Sequence, residues 1–137
     1  MASDRVRGNS QEKIVILDTN AILMVFEFSI DLHQELTRLL GLYHLVVPTA
    51  VVSELTTFVK KGGGVKAQRA KAALQIVQTM EKKETAGFTG DDAVVHLAQQ
   101  LHGVVVTNDR ALRFRLKEEV IPVIFLRKKQ YLCLDEV

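Results

Sequence analysis

Four short apolar runs punctuate the chain: "IVIL" (Ile14–Leu17), "LVV" (Leu45–Val47), "VVV" (Val104–Val106) and "VIF" (Val123–Phe125). None alternates with polar residues, as a half-exposed antiparallel strand would. Each therefore predicts a strand covered on both faces, the mark of a parallel sheet between helix layers. The segments between them turn helical. "DLHQELTRLLG" (Asp31–Gly41) carries leucines at Leu32, Leu36, Leu39 and Leu40 and stops at a glycine. "TAVVSELTTFVKKGGG" reads as a helix capped by Thr49 after Pro48, ending in two lysines and three glycines. "VKAQRAKAALQIVQTMEKKE" (Val65–Glu84) is rich in helix formers throughout. "GDDAVVHLAQQLHG" opens with two acids and closes on Gly103, and "DRALRFRLKEE" (Asp109–Glu119) follows the third apolar run.

Strands alternating with helices predict a three-layer α/β/α domain with right-handed crossovers and a central parallel sheet of four or five strands. The 137 residues suffice for one such domain, expected over 13–137 behind a polar tail at 1–12, "MASDRVRGNSQE". An apolar fraction of 47% and a charged fraction of 25% belong to a folded chain. The single cysteine, Cys133 in "YLCL", excludes an internal disulfide, reads as a small buried hydrophobe and suits a reducing cytoplasm. No apolar run reaches membrane-spanning length, since "AILMVFEF" is short and carries Glu27.

Chemistry enters with the acids. In open parallel sheets, sites gather beyond the carboxyl ends of the strands, where the strand order reverses. Asp18 ends the first run, Glu54 sits in the helix after the second, Asp91 and Asp92 open the helix before the third, and Asp109 follows the third. Two unit charges about 4 Å apart repel by about 4 kcal/mol at an effective dielectric near 20, so a carboxylate cluster takes up protons or a cation. All-oxygen donors favour Mg²⁺ or Mn²⁺ over zinc. Each acid alone has a plainer reading: Asp18 as a helix cap, Glu54 as a salt-bridge partner, Asp92 as part of a capping pattern with Thr89, Asp109 as an Asx-turn. Their joint placement at strand ends points to a metal pocket. With four of the 16 acids gathered there, the rest of the chain carries 18 positive charges against 12 negative, a balance suited to a phosphate backbone.

With its pieces "VILDTNAIL", "VVSEL", "GDDAVVHLA" and "VVVTNDRAL", the chain resembles the PIN-domain family of metal-dependent ribonucleases from Lys13 to Phe125. The resemblance implies Asp18, Glu54, Asp92 and Asp109 as the quartet holding Mg²⁺ or Mn²⁺. Asn20 and Thr107 would orient those carboxylates or a bound water, and RNA would be cleaved by metal-activated water. On a helical wheel Asp91 falls nearer the apolar stripe (Val94, Leu97, Ala98, Leu101) than Asp92 does. Family register favours Asp92, with Asp91 as the alternative ligand. The "DD" doublet and the "TNDRALRFRL" and "PVIFLRKKQYL" stretches look closer to archaeal rRNA-processing relatives than to typical toxins, so the expected partners are RNA and a ribosome-assembly factor or an antitoxin. The family and the apolar "MVFEF" also admit a homodimer.

Lys60, Lys61, Lys66, Arg69 and Lys71 around the glycine turn, and Arg110, Arg113 and Arg115 after Asp109, are candidate RNA phosphate contacts or ordinary solvated faces. His96, four residues after Asp92, could approach the rim of the pocket. Two other functions compete. A haloacid-dehalogenase-like phosphatase needs a second Asp where "DTN" has Asn20, and a non-catalytic RNA-binding or assembly module does not need all four acids.

Overall fold

The computed structural model describes residues 12–135. Apart from Glu12, the expected tail lies outside the described residues. Twelve elements follow in order: β1 (Lys13–Leu17), α1 (Thr19–Glu27), α2 (Leu32–Leu40), β2 (Tyr43–Pro48), α3 (Thr49–Lys61), α4 (Gly64–Val77), β3 (Glu81–Lys83), α5 (Gly90–Leu101), β4 (Val104–Val106), α6 (Arg110–Glu118), β5 (Val123–Arg127) and β6 (Tyr131–Asp135). They build one sheet ordered β3-β2-β1-β4-β5-β6. Every pairing is parallel except β5 with β6.

All four apolar runs form strands, and the doubly covered character read from them holds. Val15, Ile16, Val105 and Val106 are fully buried. The sheet is wider than four or five strands, for two physical reasons. β3 is a three-residue edge strand whose side chains are all exposed, so no apolar run announces it. β6 returns antiparallel along β5 through a turn at the end of the chain. The expected long helix over Val65–Glu84 stops at Val77, which frees Glu81–Lys83 to pair with β2. The α3 cap also differs. Pro48 occupies the N-cap without a side-chain bond, and Thr49 is the first helical residue. Cys133 is half-buried rather than buried. "MVFEF" runs from α1 into its C-terminal turn, with Met24 buried and Val25, Phe26 and Phe28 packed against the core.

Right-handed crossovers put α1 to α4 on one face, because they connect strands stepping from β1 toward β3. They put α5 and α6 on the other, because those helices connect strands stepping back toward β5. The step direction reverses between β1 and β4, whose registered ends are Leu17 and Val106. Gly103 makes this close pairing possible. A Cβ there would stand 2.6 Å from Ile16 Cδ1 and 3.2 Å from the Ile14 carbonyl. At the far edge, α2 docks on β6 through side chains. Glu35 Oε1 accepts the Leu132 amide at 2.7 Å, and Arg38 Nη2 donates to the Leu132 carbonyl at 2.7 Å.

Candidate metal centre

The two strand ends at the reversal carry "DTN" (Asp18–Asn20) and "TND" (Thr107–Asp109), and the two triplets bind each other. Asp18 is the N-cap of α1: Oδ1 accepts the Ala21 amide at 2.6 Å. Its other oxygen, Oδ2, accepts the fully buried Thr107 hydroxyl at 2.6 Å. The Thr107 oxygen in turn accepts the Asp109 amide at 3.1 Å. Asn20 Oδ1 accepts the Asn108 amide at 2.9 Å, and Asn108 Oδ1 accepts the Leu126 amide at 2.6 Å, locking β1, β4 and β5 together. Thr19 donates to Glu54 Oε1 at 3.1 Å, steering the α3 carboxylate toward this junction. Asp109 caps α6, accepting the Leu112 amide at 2.9 Å.

Capping and site-building are thus not alternatives for Asp18. A single carboxylate spends one oxygen on the helix and shares the other with Thr107. Thr19, not singled out from the sequence, and Asn108, part of the family-like stretch "VVVTNDRAL", complete the network. Their signal was visible, since both belong to the repeated Asp/Thr/Asn triplets. Thr107 touches the Asp18 carboxylate, whereas Asn20 holds the backbone of the β4–α6 loop.

A cavity of about 110 Å³ opens at this point, lined by Asp18, Thr19, Asn20, Glu54, Gly90, Asp91, Val94 and Asp109. It contains Asp91, not Asp92. Gly90 adopts φ +55, and the helix start that follows turns Asp91 inward. Asp92 points away and pairs with Arg115 at 2.6 Å, its side chain 60% exposed. The helical wheel carried this distinction, and family register did not. Burial pushes the Asp18 carboxyl up to about 7, with Asp91 and Asp109 adding to the shift and Thr107 and the Ala21 amide opposing it. Burial also raises Asp91, helped by the negative charge of Asp109.

Among the described residues no three His, Cys, Asp or Glu side chains already stand close enough to hold an ion. The four carboxylates face one space without converging on a point. Their chemistry nonetheless fits a hard divalent cation, since all the charged donors are oxygens and the buried Asp18 carboxylate has no positive partner among the described residues. The volume admits a cation with part of its water.

The basic candidates lie elsewhere. Lys60 and Lys61 end α3, Lys66 sits over the Phe58 ring at 4.4 Å, and Arg69 and Lys66 line a separate groove beside Leu23. Arg110, Arg113 and Lys117 line a cavity of about 270 Å³ along α6, with Arg113 over the Phe125 ring at 4.0 Å. His96 stacks on Phe88 and is not part of the carboxylate cavity lining.

A mostly parallel α/β sheet with four carboxylates around one cavity at its reversal point defines the open α/β class of domain, whose ligands bind beyond the carboxyl ends of the strands. The family described as PIN like domain matches residues 15–129, and the chain belongs to it. Ribonuclease VapC9 of Archaeoglobus fulgidus is 27% identical over 135 residues, spanning 98% of both chains. Ribonuclease VapC4 of Methanocaldococcus jannaschii is 27% identical over 121 residues, covering 85% of this chain and 92% of its own. Among solved structures, the PIN domain endonuclease Utp24 superposes with a TM-score of 0.74 at 25% identity, over 90% of this chain and 92% of the other. Rickettsia felis VapBC2, solved with a promoter DNA fragment, shares the fold with a TM-score of 0.62 at 17% identity, over 83% of this chain and 99% of the other.

Proposed function

We propose that this PIN-domain nuclease is an endoribonuclease that hydrolyses RNA phosphodiester bonds with Mg²⁺ or Mn²⁺ held by Asp18, Glu54, Asp91 and Asp109. The observation that carries the reading is the shared cavity of these four carboxylates at the strand-order reversal, with Asp18 buried among them. Asp91 takes the place that family register gives to Asp92, because Asp92 is engaged by Arg115 outside the cavity. A divalent ion held there would neutralise charge at the phosphate and lower the pKa of a water so that, once its proton is lost, hydroxide is available for attack on phosphorus.

The chain's own residues supply position. Asp18 is fixed at both oxygens, Glu54 by Thr19 and Asp109 by its helix cap, so three of the four donors are set before any ligand arrives. Asp91 makes no such side-chain bond among the described residues and is held at the cavity by its place at the start of α5. Arg110 and Arg113 begin immediately after Asp109 and offer positive charge to the phosphates flanking the cut. Their lining of a common cavity favours them as RNA contacts over the lysines and Arg69 near the glycine turn.

The ribonuclease names of the VapC relatives support RNA as the substrate. The VapBC2 neighbour supports looking for a small antitoxin-type partner, and Utp24 for a processing role. Affinity purification from the native host separates the two by what comes down with the protein. Among the described residues no helix is long and apolar enough to cross a membrane. The phosphatase reading has no support here, because Asn20 is committed to the Asn108 amide. The non-catalytic module is favoured by one observation, the unconverged carboxylates. A single assay decides between it and the nuclease. Purified protein with Mn²⁺ and single-stranded RNA should yield internal cleavage that Asp18→Asn and a chelator each abolish. Tight RNA binding without divalent-ion binding or cleavage would install the module instead.

A further inference from the structure

Beside the carboxylate cavity runs a second and larger groove, of about 410 Å³, that shares Glu54 and Gly90 with it. One wall is α3, which presents Thr49, Ser53 and Thr57 at four-residue spacing along a single stripe. The other wall is the segment from Glu84 to Gly90, from which Phe88 projects, 41% exposed. Phe88 packs nearly flat on His96, with ring centroids 4.2 Å apart and planes 14° from parallel. Phe88 lines the groove and His96 does not.

A hydrophobic ring left in water beside a reaction centre has a bland explanation: it anchors its loop to α5. Contact with His96 already accomplishes that. With Phe88 still 41% exposed among the described residues, the ring keeps surface for a second planar partner. Immobilisation by His96 also means that little side-chain freedom is lost on stacking. The charge of the lining narrows the class of ligand. Among the groove's lining residues the only ionisable ones are Glu54 and Glu84, so phosphates are repelled, while hydroxyls and a π-face suit ribose and a nucleobase. On the α6 side of the carboxylates the arrangement is reversed, with Arg110, Arg113 and Lys117 offering charge.

We propose that this groove is a nucleoside subsite for single-stranded RNA. Phe88 stacks the base of a nucleotide next to the cleaved bond, and the Thr49–Ser53–Thr57 stripe faces its ribose. The inference rests on the ribonuclease reading and names how that substrate is gripped. Its volume lies in the range of about 300–1,000 Å³ usual for small-ligand sites.

The test uses short single-stranded oligoribonucleotides carrying 2-aminopurine at each position in turn, bound to the Asp18→Asn protein so that the strand stays intact. One position should lose fluorescence on binding. Phe88→Leu, which keeps an apolar anchor for the loop, should abolish that quenching and weaken binding roughly tenfold, while Phe88→Trp retains both. In cleavage assays on an Asp18 background, Phe88→Leu should raise KM more than it lowers kcat. It should have no further effect on an RNA made abasic at the quenched position. Equal quenching and affinity in Phe88→Leu would overturn the subsite while leaving cleavage, and so the nuclease reading, intact. Phe88-dependent quenching by a protein that cuts no RNA would overturn the nuclease reading and retain the subsite. Absence of both would remove both.

Discussion

Thr107 donates its hydroxyl to Asp18 across the seam between β4 and β1, 89 residues apart in the chain and 2.6 Å apart in space. Both groups are buried, so the bond is shielded from water and stabilises the ionised carboxylate directly. Thr107→Val removes the donor while keeping the shape. The Asp18 carboxyl should then titrate above its wild-type value, read by NMR on the metal-free protein, and cleavage should fall by roughly 10–100-fold. Thr107→Ser should restore most of it. An unchanged titration in the valine variant would show that Thr107 does not set the state of Asp18.

The protonation of Asp18 also writes a pH dependence into stability. Its carboxyl moves from 3.8 to about 7 on folding. Between those values the folded protein holds a proton that the unfolded chain has released. Unfolding free energy of the metal-free protein therefore falls as pH rises through this window, by up to roughly 4 kcal/mol, and is flat above it. Asp18→Asn keeps an oxygen for the Ala21 amide and should lose this slope. Urea denaturation in chelator from pH 4 to 8 reads the difference between the two proteins, and parallel curves would refute the assignment.

Cation binding should carry the opposite signature. An ion entering the cavity must displace that proton, so its affinity by calorimetry should weaken close to tenfold for each pH unit below about 7. Proton release should be measurable from the buffer dependence of the heat. Binding that ignores pH would place the ion away from Asp18.

Asp91 and Asp92 are neighbours with different fates. Asp91→Asn should reduce kcat/KM by 100-fold or more, as removal of a charged group from the site would. Asp92→Asn should cost only an exposed ion pair to Arg115, about 1 kcal/mol of stability or less and little activity. The reverse ranking would restore the assignment made from family register.

Gly103→Ala tests the seam itself. The added methyl meets the Ile16 side chain at 2.6 Å inside a fully buried cluster. The expected loss is about 1–3 kcal/mol in urea unfolding, with no change in metal affinity if the fold is kept.

Much of this arrangement was legible beforehand, and the reason differs by residue. The four apolar runs announced their strands because burial on both faces leaves an unbroken hydrophobic signature. Asp18, Glu54 and Asp109 stood out as acids at strand and helix junctions. β3 was invisible because Glu81, Lys82 and Lys83 are exposed, and the end of α4 because Gln78 to Glu84 holds no glycine or proline to stop a helix. The apolar stripe of α5 already marked Asp91 over Asp92, and the φ of Gly90 sets the helix start that brings Asp91 to the cavity. The cross-bonding of "DTN" with "TND" needed the strand order, which only the three-dimensional pairing supplies.

The clasp of Glu35 and Arg38 on Leu132 bears on how copies of this molecule can meet. It occupies amide and carbonyl groups that would otherwise recruit a foreign strand to β6, while the opposite border, β3, is fenced by Glu81, Lys82 and Lys83. Lateral extension of the sheet from one subunit into another is thereby discouraged at both borders. Any oligomer of this chain is accordingly expected to join through its helices, leaving the strand ends that carry the carboxylates open to an incoming ligand.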